Sequence, residues 1–169
     1  HQIEFLEEEK LKYLDWFKVN KKKYRPIRNL MTIPGISLIR ANITTAIVCQ
    51  PARFKNKHHF WGYCMLVRHI QTSAGKIYGN KRTHGRKELR DVFIGAAEAA
   101  MRTKTTLRDY YDAQRARGVK HKDAKVALAR KVASLSLCLL KNNDTYNDNY
   151  EEYLKERKRL RTLVGQQRY

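Results

Sequence analysis

The residues best suited to chemistry are a single serine and the cations that follow it. Ser73 lies in a Ser-Ala-Gly segment, which predicts a flexible turn. Six lysines or arginines follow it, against one acid, Glu88; they are Lys76, Lys81, Arg82, Arg86, Lys87 and Arg90, and Arg68 precedes the turn. A serine hydroxyl beside fixed positive charge is suited to attack on a phosphodiester, because the cations stabilise the charge that develops. The same loop is equally suited to binding phosphate without chemistry.

Composition points to a polyanionic partner. The chain has 169 residues, a net charge of +20 and a pI near 10.1. A chain of this length is expected to form one domain, or one domain with an appendage. So basic a chain favours nucleic acid, with an anionic membrane surface as the weaker alternative. No apolar run is long enough to span a bilayer, so no membrane partner is predicted.

Other chemistries find little support. The three cysteines, Cys49, Cys64 and Cys138, form no C-x-x-C pair, which indicates a reducing, cytoplasmic compartment rather than a disulfide or zinc framework. The acids are few and lie mostly on charged helix faces, so we predict no metal site and no cofactor in this chain. There is no Walker A motif, no G-x-G-x-x-G and no nucleophile elbow, and no tyrosine cluster surrounds His84.

The elements that must position the serine are mainly α-helical. Apolar periodicity and turn residues predict helices over residues 2–18, after the Pro34-Gly35 turn within 30–48, and over 89–101, 105–117, 122–141 and about 148–164. Residues 53–67 read as a basic turn that leads into a short, aromatic-rich helix. The one irregular basic loop, 68–86, has room for a short β-hairpin around Gly75 to Gly79. Long loops within compact domains tend to be functional.

Three segments are expected. Residues 1–28 are interpreted as the end of a coiled-coil helix and a basic linker, either a solvated connector or a phosphate-contacting arm. Residues 29–145 form the main domain, and 146–169 form a charged C-terminal helix. The chain opens at His1 inside the first predicted helix, so we expect a piece of a longer protein.

Pro34-Gly35, flanked by isoleucines and followed by a helix, has the pattern of a helix-hairpin-helix. Such a hairpin offers the free N–H groups of a helix N-terminus to a DNA phosphate. Ser37 replaces the usual second glycine, and a purely structural pair of helices is the alternative.

The order of motifs is similar to that of a known family. The motifs are TIPGI (32–36), ARF (52–54), WGYCMLV (61–67), the serine and glycine of 73–75, YGNKRTHGRKELR (78–90), AAEAA, and ALARKVASL (127–135). Together they resemble the C-terminal transposase domain of the insertion-sequence one-ten family, the bridge-RNA-guided recombinases that include pilin-gene invertases. The resemblance covers about residues 30–142. The family usually has glycine where this chain has Met65, and Ser-Gly where this chain has Ser73-Ala74-Gly75, so we expect an altered turn at Met65.

The resemblance implies that Ser73 is the catalytic nucleophile and forms a covalent bond with DNA. It also implies a separate N-terminal RuvC-like domain whose four acids bind magnesium, a guide RNA, homo-oligomers of the full-length protein, and a prokaryotic, nucleoid-associated location. Without the acidic domain this chain is expected to bind DNA or RNA but not to recombine it. The expected nucleic-acid contacts are Pro34, Gly35, Arg68, Lys76, Lys81, Arg82, Arg86 and Arg90. The alternative is a non-catalytic helix-hairpin-helix-type module that only binds nucleic acid.

Overall fold

The computed structural model describes residues 1–82 and 84–149, and within them the fold is mainly helical, as predicted. The helices are α1 (Gln2–Lys23), α2 (Arg25–Met31), α3 (Leu38–Val48), α4 (Lys57–Tyr63), α5 (Lys87–Ala100), α6 (Thr106–Ala116) and α7 (His121–Asn142). The strands are β1 (Arg68–Ser73) and β2 (Lys76–Arg82). Helix ends at Gly118 and Asn143 have positive φ, which is typical of C-terminal caps. The charged helix predicted from about residue 148 lies almost wholly outside the described residues.

Helix α7 is the centre of the core and packs against α2, α4, α5 and α6. Its apolar second half is buried, as the sequence predicts, with Leu128, Val132 and Leu139 fully enclosed. Phe60 of α4 meets Phe93 of α5 edge-to-face at 5.8 Å, which closes the core between these helices. Burial of these side chains is the main force that holds the helices together.

Helix α5 packs closely because its inner face is made of small residues. Ala96, Ala97 and Ala100 are fully buried. Gly35, at the turn between α2 and α3, has a φ of +89°, and a Cβ on it would lie 2.2 Å from the Ala96 carbonyl oxygen. The α2–α3 turn therefore seats directly on the backbone of α5.

The basic linker predicted for residues 18–28 is helical. Helix α1 continues to Lys23, the chain kinks at extended Tyr24, and α2 begins one residue before Pro26. Proline starts α2 readily because the first turn of a helix needs no partner for its N–H groups. No residue of α1 is buried. Its apolar residues, such as Ile3 and Leu6, are exposed, and the coiled-coil interpretation stays a prediction.

The basic loop 68–86 contains an antiparallel hairpin, as the sequence allowed, with the strands paired from Arg68–Arg82 to Ser73–Lys76. It is longer than the short hairpin expected around Gly75 to Gly79. Among the described elements, each strand makes its extensive contacts with the other strand, and no helix packs broadly on either. The hairpin thus projects from the helical core.

Candidate nucleic-acid interface

Ser73 ends β1 at the tip of the hairpin. Ser73 pairs with Lys76, and the two residues between them, Ala74 and Gly75, have φ values of +48° and +74°. Positive φ at both central positions defines a type I′ turn, whose twist matches that of paired strands. The turn is therefore tight, and it holds the backbone of the candidate nucleophile on an ordered ladder.

A β-bulge interrupts the ladder two residues before the serine. Gln71 pairs with Gly79 and Thr72 pairs with Ile77, so Tyr78 is left over on β2. Bulges re-aim side chains and are common beside active sites. The ring of Tyr78 is 70% exposed. Tyr78 was not predicted from the sequence, although an aromatic residue within a basic segment is a recognisable signal for nucleic-acid binding.

The strand register brings basic residue types together at the root of the hairpin. Arg68 pairs with Arg82, and His69 pairs with Lys81. These basic positions add to the positive charge of this part of the chain, which favours an anion.

A basic cleft lies beneath this root. It has a volume of about 440 Å³, and its wall includes Arg68, Arg90, Lys122 and Arg130, with Asp123 as the only carboxylate. The Nε of Arg130 is buried and has no hydrogen-bond partner among the described residues. Four cations around one acid leave the cleft with excess positive charge, which favours a polyanion.

Arg68 and Arg90 were predicted from sequence, and the cleft brings them together. Lys122 and Arg130 of α7 were not predicted. They lie in a helix that reads as a core element, and their spacing of eight residues places both near one face. Only that weak periodic signal could have singled them out.

The far end of the hairpin is anchored on α4. The Arg86 N–H donates to the Tyr63 carbonyl at 2.8 Å. A Cβ on Gly85 would lie 2.2 Å from the same carbonyl oxygen. The Arg53 guanidinium lowers the pKa of the Tyr63 hydroxyl by hydrogen bonding, partial burial opposes this, and Arg86 adds to the lowering. Arg86 therefore faces the Tyr63 hydroxyl.

The near end of the hairpin begins at Met65. Helix α4 ends in a Schellman motif, in which Leu66 N–H donates to Trp61 O at 3.0 Å and Met65 N–H to Gly62 O at 2.9 Å. Met65 has a φ of +52°. Methionine here adopts the left-handed backbone that glycine adopts readily, and the altered turn expected at this position stays a prediction.

The predicted phosphate-gripping turn lies apart from the cleft lining. The carbonyl of Gly35 accepts from Arg40 at 2.9 Å, and the glycine itself faces Ala96. Ser37, the N-cap of α3, is exposed and accepts from the Arg40 N–H. Backbone phosphate contact at Pro34 and Gly35 stays a prediction, and the exposed part of this turn is Ser37.

The described residues lack two features that other classes of site require. No three histidine, cysteine or acidic side chains within residues 1–82 and 84–149 converge to hold a metal ion. In the same part of the chain, no helix is both long and apolar enough to cross a membrane.

Part of the helical core and the serine hairpin both fall within a stretch that matches a known family. The chain belongs to the transposase IS116/IS110/IS902 family, whose profile matches residues 27–112, from α2 into α6. This confirms the family predicted from the ordered motifs. The match includes the α2–α3 turn and the whole hairpin.

Two curated relatives agree with this assignment. The chain is 29% identical over 118 residues to the uncharacterized 43.6 kDa protein of insertion element IS110 from Streptomyces coelicolor, covering 69% of this chain and 29% of that protein. It is 27% identical over 130 residues to the uncharacterized 42 kDa protein of insertion element IS900 from Mycobacterium paratuberculosis, covering 75% of this chain and 32% of that protein. The chain thus spans about a third of the length of these relatives.

Proposed function

We propose that this chain is the C-terminal, serine-bearing domain of a DNA transposase, and that Ser73 is the nucleophile that cleaves and exchanges DNA strands. The observation that carries the proposal is the position of Ser73 at the tip of an ordered hairpin. Basic residues are paired at the root of this hairpin, and one of them, Arg68, lines the basic cleft. Membership of a transposase family supports DNA as the substrate.

The proposed step is a transesterification. The Oγ of Ser73 attacks a backbone phosphorus, and a new O–P bond forms as the P–O bond to the departing nucleoside breaks. The serine proton passes to the departing oxygen, which leaves as a free hydroxyl. The bond between Ser73 and the phosphate is itself a phosphodiester. The hydroxyl of a second strand end can therefore displace the serine and rejoin the DNA without ATP.

The cations have two proposed roles. Lys76 pairs with Ser73 across the turn and would stabilise charge on the attacked phosphate. Arg68 and Arg90, with Lys122 and Arg130, would hold the DNA backbone in the cleft. Lys81, Arg82 and Arg86 would bind flanking phosphates along β2 and at its end. Such contacts fix position and do not read sequence.

The remaining parts of the proposal concern the full-length protein. There, an N-terminal RuvC-like domain would supply magnesium chemistry, a guide RNA would select the target, and the protein would act as a homo-oligomer on the nucleoid in the prokaryotic cytoplasm. This chain alone would bind nucleic acid without completing recombination.

The decisive test compares Ser73→Ala with Thr72→Ala in the full-length parent with its guide RNA and end-labelled target DNA. A denaturant-resistant protein–DNA adduct should form in the wild type and in Thr72→Ala, and should be absent from Ser73→Ala. The neighbouring threonine controls for loss of a hydroxyl on the same strand. An adduct that survives in Ser73→Ala would refute the serine as nucleophile.

The alternative is a module that binds nucleic acid without chemistry. The cleft favours this alternative because its lining contains four cations and does not include Ser73. In that case Ser73→Ala costs at most one hydrogen bond, about 1 kcal/mol of affinity. Arg90→Gln should weaken binding and lower the salt slope by about 1 under either function. Wild-type protein that binds tightly but never forms an adduct would favour this alternative.

A further inference from the structure

A second, larger groove shares Arg130 with the cleft. It has a volume of about 1000 Å³ and is bounded mainly by α4 and α7. Its cations are Lys55, Lys57, Arg130, Lys131 and Lys141, and no carboxylate contributes to its lining. A groove with this charge favours a chain of phosphates over a peptide of mixed charge.

Two aromatic rings are set between these cations. Lys57 Nζ lies 5.7 Å and Arg130 Cζ lies 6.0 Å from the centre of the Trp61 ring. Lys131 Nζ lies 4.5 Å from the centre of the Tyr110 ring. Alternation of cations and aromatic rings is the pattern with which proteins hold single strands, because each unpaired base offers a π-face beside a phosphate.

Trp61 is fixed in orientation by its polar edge. Its Nε1 donates to the Arg130 carbonyl at 3.0 Å and to Ser134 Oγ at 2.9 Å. The His58 ring packs against it at 4.7 Å in an edge arrangement. The indole is therefore preorganised, so little side-chain conformational entropy is lost when a base stacks on it.

We propose that this groove binds an unpaired segment of DNA, with a base stacked on Trp61 and flanking phosphates on Lys57 and Lys131. The inference rests on the proposed function, since attack by Ser73 releases a strand that must be held until it is rejoined. Arg130 lines both the cleft and the groove. A strand that passes Arg130 can therefore contact both sites, and unpaired bases have faces free to stack on the rings.

The test uses the 169-residue chain with Trp16→Phe, which leaves Trp61 as its one tryptophan. The probes are a thymidine oligonucleotide of about ten nucleotides, within the usual site size, and an abasic strand of equal length. We expect thymidine to quench Trp61 emission and to bind about tenfold more tightly than the abasic strand, because only thymidine can stack. Equal affinity without quenching would overturn the proposal.

Matched variants separate this groove from other basic surfaces. Lys57→Gln and Lys131→Gln should each weaken thymidine binding several-fold, whereas Lys10→Gln on exposed α1 should not. Duplex DNA should bind with the same affinity to Lys57→Gln as to the parent. An equal loss of thymidine affinity in Lys10→Gln would mean that net charge alone binds the strand, and would overturn the assignment of the groove.

Two further outcomes keep this inference distinct from the proposed function. Quenching that persists while the full-length protein forms no Ser73 adduct would support the groove and reject the nucleophile. A Ser73 adduct without Trp61 quenching would support the nucleophile and reject the groove. A uridine RNA that quenches Trp61 when thymidine DNA does not would overturn the assignment to DNA.

Discussion

The helices α5 and α7 and the β-hairpin above them are stabilised in different ways. The helices bury Phe93, Leu128 and Val132 against one another, so removal of water from apolar surface holds them. The hairpin strands rely on their shared ladder and a type I′ turn, and basic residues are paired at their root. The core therefore supplies most of the stability, while the hairpin contributes positive charge suited to a polyanion. Stability and DNA chemistry should therefore respond to different mutations.

The largest effect is expected from breaking the core at Gly35→Ala. The new Cβ would overlap the Ala96 carbonyl, and φ is +89°. Backbone strain of about 1–2 kcal/mol and overpacking of about 1–3 kcal/mol should lower the free energy of unfolding by about 2–5 kcal/mol. Urea unfolding measures the loss.

Gly118→Ala is the control for Gly35→Ala. Gly118 has a similar φ of +82° but open space around it. Its loss should be about 1 kcal/mol, from backbone strain alone. Equal losses in the two variants would show that the α2–α3 turn does not pack on α5.

A smaller effect is expected at the junction between the two regions. Met65 has a φ of +52° in the Schellman motif. Met65→Gly should raise the free energy of unfolding by about 1 kcal/mol, because glycine adopts this backbone without strain. Urea unfolding again measures it.

Ala74→Gly removes the same kind of backbone strain from the hairpin, since Ala74 at the tip has a similar φ of +48°. It should slow amide exchange within the hairpin and leave the global transition unchanged, because strands outside the core open locally. If Ala74→Gly raised global stability as much as Met65→Gly, the hairpin would belong to the cooperative core, and the comparison would fail.

The smallest effect concerns Tyr63, which anchors the far end of the hairpin. Arg53 first, and then Arg86, hold the pKa of its hydroxyl below the ordinary value of 10.0. The folded state therefore favours the phenolate, so the stability of the wild type relative to Tyr63→Phe should rise as pH increases through the folded pKa toward 10.0. Difference absorbance between wild type and Tyr63→Phe should show phenolate forming below that pH. Arg53→Gln should raise the midpoint more than Arg86→Gln, and a midpoint unmoved by either would exclude the guanidinium contacts.

Much of the fold was predictable because its signals are local. Apolar periodicity predicted α5 and α7 nearly to their ends, and Gly118 predicted the end of α6. Two local features were not predicted in full. The lysines before Tyr24 read as a linker but continue α1, since charged residues favour an exposed helix as readily as a coil. The hairpin is longer than expected, because its one-residue bulge breaks the alternation by which strands are recognised.

The net charge, most of the helices and the ordered family motifs follow from residue identity and near neighbours, and so does the prediction of Ser73. The cleft that Arg68 and Arg90 share with Lys122 and Arg130 follows only from the folded chain, as does the approach of Arg130 to Trp61. Side chains so far apart in sequence meet only when buried apolar faces set the helices against each other, and the packing of α7 on α4 and α5 supplies that placement.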